Sequence, residues 1–386
     1  MPTGARLFAA AAALSITLGA LPVPAQDLPR GQIVDEVKCP GDPTQTYAVY
    51  IPSWYSPDRA WSLLIAFHPA ARGRAMVEKY QAAAEVYGYI VAGSNNSRNG
   101  SSQASLRSIR AMLPDLGQRF LIDPKRLYLT GMSGGARVAM QVALGTKVAA
   151  GVIASSAGYP DGEPRGSVPF VVFGTAGTED FNYIEMRNLD RALTTPHRLV
   201  IFEGGHTLPP DDVALEAIEW LELQAMKAGR RPRDEALIER IFNKRQQAIA
   251  ATATPVAAAH LLNDLVDDFT GLRNVSAVAA RASALSKQKD VKNALARERS
   301  DDDAEAVMLQ EVLTLETGLR DDRLDSLTRL RASLSRLARQ ADAPADSPER
   351  RRARRVLRGI TMGAAERVQD AEYLKLLEPY RQRPGR

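Results

Sequence analysis

The run Gly131-Met132-Ser133-Gly134-Gly135 has the form G-x-S-x-G, and a serine in that setting can attack a carbonyl carbon. The pattern needs small residues because the chain must leave a strand and enter a helix in one sharp turn. The serine takes a strained backbone conformation there, and the flanking glycines avoid collision with strand and helix. A serine hydroxyl is a weak nucleophile until a base removes its proton. The sequence offers four histidines, His68, His197, His206 and His260. His206 is the preferred base. It follows a strand-like run and the flexible pair Gly204-Gly205, on a loop from which a ring can swing over the elbow. His197 stands at a strand entrance beside Pro196 and reads as surface, and His260 lies in a helical stretch and reads as structural.

An imidazole acting as base needs a carboxylate to fix its tautomer and stabilise its charged form. In an elbow-type triad the order along the chain is serine, acid, histidine. That places the acid on the loop 175–183, where Glu179 and Asp180 are the candidates. Asp180 is preferred, although the same residue could equally cap the helix that follows. Glu179 is the alternative, and Glu203, at the end of the next strand, a more remote one. Acyl transfer also needs donors for the developing oxyanion. The Gly134 backbone N–H is one. The second comes from the loop 68–73, where Pro69 has no N–H, so that Ala70 or Ala71 must donate; Ala70 is taken as the donor. His68 either supports that loop or is simply a histidine packed at the strand end. This chemistry calls for no cofactor and no metal, and water is the second substrate.

The elements that must position these groups alternate along the chain. Apolar or alternating runs at 47–51, 61–67, 88–92, 127–132, 149–154, 168–174 and 198–202 read as strands. Stretches with helical spacing at 76–87, 106–120, 135–144, 183–193 and 211–228 lie between and after them. Strands alternating with helices predict a doubly wound, mostly parallel sheet. The polar loop 93–100 follows one of those strands, on the side where open α/β sheets bind ligands. It could line a substrate pocket, with Arg98 meeting an acidic group, or be an ordinary turn. Asn95 and Asn99 begin N-x-S sequons, which matter only in a glycosylating host.

The pattern changes near Gly229-Arg230-Arg231-Pro232-Arg233. Beyond it there is no strand-like run, and 234–251, 255–269, 276–285, 304–319, 324–337 and 364–377 have helical spacing, so residues 230–386 are expected to be all-helical. The first helices could form a hairpin of tetratricopeptide type. A low-complexity break falls at 341–348. The arginines at 350, 351, 352, 354, 355 and 358 read as a solvated helix face, because no aromatic residue interleaves them as nucleic-acid binding would favour.

At the other end, Arg6 followed by an apolar run at 7–21 and the small residues Val23-Pro24-Ala25 reads as a secretory signal, residues 1–25. The alternative is an uncleaved membrane anchor, but the run is short for a bilayer span, so no stable membrane span is expected after cleavage. Cys39 is the only cysteine, which excludes an internal disulfide and a cysteine-based metal site. It is read as lying in a turn before any apolar strand, with no chemical role.

With these residues in place, 45–228 resembles the α/β-hydrolase family, in its exported polyhydroxybutyrate depolymerase and feruloyl-esterase-like branch. The resemblance is carried by Tyr47-Ala48-Val49-Tyr50-Ile51-Pro52, Phe67-His68-Pro69-Ala70, the elbow, Gly174-Thr175-Ala176 and Gly205-His206. That branch often sets its acid directly after Gly-Thr-Ala, and here the position is Gly177. The expectation is therefore an α/β-hydrolase domain over 26–229 and a helical region over 230–386. Its function would be that of a secreted or periplasmic serine esterase acting on a small-molecule or polymer ester through Ser133, Asp180 and His206. Two other readings remain open: a peptidase of the same fold, and a non-catalytic binding or scaffold protein on a decayed fold. The helical region could hold a protein partner, and no nucleic-acid partner is expected.

Overall fold

The computed structural model describes residues 28–381 except 101, 161, 163 and 164; the expected signal segment lies outside the described residues. The described chain falls into two compact units. The first holds the residues up to Thr175 with Leu189–Val200 and Leu208–Asp234, and the second holds Ala176–Asn188, Ile201–Thr207 and the chain from Glu235 onward.

The sheet consists of strands β1 (Ile33–Cys39), β2 (Asp42–Tyr50), β3 (Trp61–Phe67), β4 (Tyr89–Ser94), β5 (Ile122–Met132), β6 (Gly151–Ser155), β7 (Val171–Gly177) and β8 (His197–Phe202), of which β1 to β6 lie wholly in the first unit. Their order across the eight-stranded sheet is β1-β2-β4-β3-β5-β6-β7-β8. β2 runs antiparallel to β1 and β4, while β3, β4, β5, β6 and β7 pair in parallel. Every residue of β3, β4 and β6 is buried, as continuous apolar runs should be in a parallel sheet covered on both faces. Helices α1 (Gly73–Tyr87), α2 (Ser102–Arg119), α3 (Gly134–Thr146), α4 (Tyr183–Ala192) and α5 (Asp211–Lys227) complete the doubly wound layers expected from the sequence. In α3, Ala136, Ala139, Met140 and Ala143 repeat at helical spacing and are fully buried, so small side chains bring this helix close to the sheet.

The strand β1 was not legible in the polar lead-in. Only Val37 and Cys39 of its residues are buried, and an edge strand needs no more. Cys39 ends this strand fully buried instead of sitting in a turn, and burial beside Asp115 pushes its thiol up to about 12. An unreactive thiol results.

The second unit carries helices α6 (Glu235–Ala251), α7 (Pro255–Phe269), α8 (Ser276–Ser286), α9 (Lys289–Gly318), α10 (Arg323–Ala341), α11 (Pro348–Arg367) and α12 (Ala371–Arg381). Leu330, Leu334, Ile360, Ala364, Tyr373 and Leu377 close the core of its last four helices. Burying each large apolar side chain there contributes about 1.5–3 kcal/mol. The stretch read as a low-complexity break contains a helix start. Ser347 accepts from Arg350 N–H and Pro348 holds the first position, so α11 begins where composition alone suggested a linker. The expected single helix over 364–377 is two, because the chain is extended at Val368 and Asp370 accepts from Tyr373 N–H to open α12. Among the described residues no helix is long and apolar enough to cross a membrane.

Candidate active site

In the first unit, β5 delivers the chain into Ser133, whose φ of 53° and ψ of −122° lie where a residue with a side chain is strained. The turn is pinned at both ends. Ser133 N–H donates to Ser155 O at 2.8 Å, and the N–H groups of Ala136 and Arg137 turn back to Ser133 O at 2.9 and 3.2 Å. The glycines are a steric requirement. A Cβ on Gly131 would overlap the Gly135 carbonyl, and one on Gly135 would overlap the Phe67 carbonyl at the end of β3. Gly134 follows the serine as the first residue of α3, where a backbone N–H has no intrahelical acceptor.

The loop beyond β3 is differently arranged from the sequence reading. Ala70, expected to face an oxyanion, donates its N–H to His68 Nδ1 at 3.0 Å, and Ala71 N–H donates to His68 O at 3.1 Å. Either amide would have to share or break that bond to serve a substrate oxygen. His68 is only 4% exposed; burial and the nearby Arg72 push its imidazole down to about 4, so it is neutral near pH 7 and can accept the Ala70 proton. Its supporting role in the loop agrees with this bond.

Asn99 begins a sequon and lies in the polar loop 93–100. Its backbone N–H donates to Pro69 O at 2.9 Å, and Arg98 bridges to Ala70, so the loop beyond β4 is stitched to the loop beyond β3. The Asn99 carboxamide then rests against Gly134, on the spot a Cβ there would occupy. The sequence singled out the loop 93–100 but not this residue, because only the fold brings it beside the elbow.

In the second unit, Asp180 follows β7 and His206 follows β8. His206 Nδ1 lies 2.7 Å from Asp180 Oδ1. The same oxygen accepts Asn182 N–H at 2.9 Å, so the helix-capping role and the histidine-pairing role fall on one carboxylate. Asp180 is fully buried, and among the described residues its Oδ2 has no hydrogen-bond partner. Phe181 stacks on the imidazole with centroids 3.9 Å apart and planes at 28°, which fixes the plane of the ring. The other acids face elsewhere: Glu179 pairs with Arg354 and Glu203 with Arg351, each at 2.9 Å.

The glycine at 177 now has a physical reason. Thr178 N–H donates to Phe202 O and Glu179 N–H to Gly204 O, both at 2.8 Å, so the two loops run side by side. A Cβ on Gly177 would overlap the carbonyls of Gly204 and Gly205. A carboxylate cannot stand there, and the acid that meets His206 sits three residues on. Of the remaining histidines, His197 contacts Thr195 O at 2.8 Å and His260 pairs with Glu298 at 2.8 Å on an exposed helix face, which raises the His260 imidazole. Among the described residues no group of His, Cys, Asp and Glu is placed to hold a metal ion.

The strand order and the strand–turn–helix at Ser133 are those of an α/β-hydrolase fold. No protein-family model matches the chain, and no curated protein sequence matches it. Solved structures similar to part of it include a thermostable esterase, at 17% identity and a TM-score of 0.37, with 48% of this chain and 61% of that one covered. A ferulic acid esterase is similar at 15% identity and a TM-score of 0.39, covering 48% of this chain and 95% of that one. The S-formylglutathione hydrolase of Staphylococcus aureus is similar at 16% identity and a TM-score of 0.39, covering 50% of this chain and 98% of that one.

Proposed function

We propose that the chain is an exported serine hydrolase that cleaves carboxylic esters through an acyl-enzyme. The observation that carries this reading is the strained conformation of Ser133 between glycines that nothing larger could replace. Strain of that kind persists only where surrounding structure holds it, and it concentrates at reactive positions. In this reading Ser133 Oγ attacks the ester carbonyl while His206 takes its proton. The Gly134 N–H helps to stabilise the oxyanion. His206 returns the proton to the leaving alcohol, then activates water to attack the acyl-enzyme, and Asp180 holds the imidazole in register throughout. The short bond between His206 and a fully buried Asp180 supports that division of labour. It also weakens the scaffold reading, for which the acid displaced from position 177 speaks together with the long helical tail.

Residues 1–25 serve export in this proposal, so the mature protein would begin at Gln26 in the periplasm or outside the cell. The test is hydrolysis of short-chain p-nitrophenyl esters by the exported protein and by Ser133→Ala. Turnover in the first and a loss of about 10⁴-fold or more in the second are expected. Equal rates in the two proteins would remove Ser133 from the reaction.

A further inference from the structure

The loops that hold Asp180 and His206 pack with the C-terminal helices as one compact unit. Helix α11 supplies the contacts. Arg355 is 8% exposed, and its Nη1 donates to Thr178 O at 2.7 Å, two residues before Asp180. Its Nε donates to both carboxylate oxygens of Glu305 in α9, at 2.9 and 3.0 Å, and Glu305 is itself 1% exposed. The guanidinium also lies 4.1 Å from the ring centre of Tyr183, three residues beyond Asp180. One planar cation thus grips both sides of the acid. Arg354 adds a second grip through Glu179, beside Asp180, at 2.9 Å, while its Nε is anchored on Ala341 O of α10. Gly359, one turn further along α11, lies beneath Phe181, the residue stacked on His206: a Cβ at 359 would stand in ordinary contact, 3.6 Å, with the Phe181 carbonyl oxygen.

This arrangement is costly unless it is complete. A buried Glu305 stripped of Arg355 would be left uncompensated. A lysine at 355 would keep the charge but lose the fork that spans a carboxylate and a carbonyl together. The six clustered arginines expected to form a solvated face therefore include two turned toward the acid loop.

We propose that α11 is a brace for the acid–base pair: Arg355 and Arg354 are positioning residues that hold the 178–183 loop so that Asp180 meets His206. The helical region is then a working part of the hydrolase and not an appended module. The proposal rests on the serine-hydrolase reading, and its test keeps the two apart. Failure of that reading shows in the wild-type full-length protein, as no turnover. Failure of the brace shows only in variants of an active protein, or in a signal independent of turnover.

The experiment compares the full-length wild type with Arg355→Met, Arg355→Lys, Arg354→Glu and the double variant Arg354→Glu with Glu179→Arg. It reads kcat and KM on p-nitrophenyl acetate, and the proton NMR resonance of the His206 Nδ1–H shared with Asp180. Arg355→Met is expected to lower kcat about 10- to 100-fold with KM little changed, the scale of a small misplacement of a catalytic group. The shared-proton resonance should broaden or disappear. Arg355→Lys should recover part of kcat. Arg354→Glu should lose several-fold and the exchanged pair should regain most of that loss. Where Arg355→Met does not fold, the Arg354 series decides. Unchanged kcat and an unchanged resonance in the folded variants, or no recovery in the exchanged pair, would overturn the brace.

Discussion

The elbow around Ser133 and the loops around Asp180 and His206 are held by opposite means. At the elbow, backbone meets backbone: Gly131 against Gly135, and Gly135 against Phe67, with no side chain between them. Around Asp180, the loop is fastened by long charged side chains, one of them reaching from Arg354 to a partner 175 residues away in the sequence. The first arrangement is rigid because nothing larger than hydrogen fits. The second is rigid only while each cation keeps its anion and its carbonyl. In the proposed reading the first arrangement serves a nucleophile kept in one strained conformation, and the second an acid–base pair kept in matched placement.

The sharpest way to break the first region is Gly135→Ala. Its Cβ would overlap the Phe67 carbonyl, a backbone atom that cannot swing aside. A destabilisation of more than about 4 kcal/mol is expected, read as failure to fold or a large drop in the urea midpoint. A variant with near wild-type stability would show that the close approach does not hold the elbow.

Next in size is a pH effect beside the elbow. His68 has its folded-state pKa pushed down to about 4 from an ordinary 6.5, so between those values the unfolded chain binds more protons. Its contribution to stability is therefore full above pH 6.5 and is lost as pH falls toward 4. The loss should amount to roughly 2–3 kcal/mol. Protonation would also remove the acceptor for Ala70 N–H. Urea unfolding at pH 7 and pH 4.5 should show a larger loss for wild type than for His68→Gln. Parallel losses in the two proteins would contradict the assignment.

The smallest effect separates the two kinds of arginine on α11. Arg351 pairs with Glu203, which is 75% exposed, and with Asp346, which is 51% exposed. Such pairs contribute about 0–1 kcal/mol. Arg351→Ala should change the unfolding free energy by less than about 1 kcal/mol and leave kcat within about twofold. A loss comparable to that of Arg355→Met would mean that the surface pair also positions the loop.

The same contrast explains what could be read from sequence. The elbow is a local device: five consecutive residues between a strand-like and a helix-like run state its geometry and motivate the chemistry proposed for it. The alternating apolar runs gave the parallel sheet for the same reason, since each strand carries its own burial in its composition. Gly177 was legible as a departure but not as a cause, because the carbonyls it avoids belong to residues 204 and 205. Asp180 could be narrowed to a loop by chain order, yet its separation from Glu179 and Glu203 depends on where arginines of a distant helix fall. Asn99 and Phe181 had no pattern of their own; one is placed by a loop-to-loop bond and the other by stacking on His206. Composition even misdirected at α11, where a cap of Ser347 and Pro348 resembled a linker and the buried Arg355 resembled part of a wet face.

The most direct measurement on the central claim is the rate at which a fluorophosphonate labels Ser133, located by mass spectrometry of the digested protein, in wild type, His206→Ala and Asp180→Asn. The account predicts one adduct, on Ser133, formed in the wild type and slowed by about 10³-fold or more in both variants. An unlabelled Ser133 in folded wild-type protein, or labelling that proceeds as fast without His206 and Asp180, would contradict it.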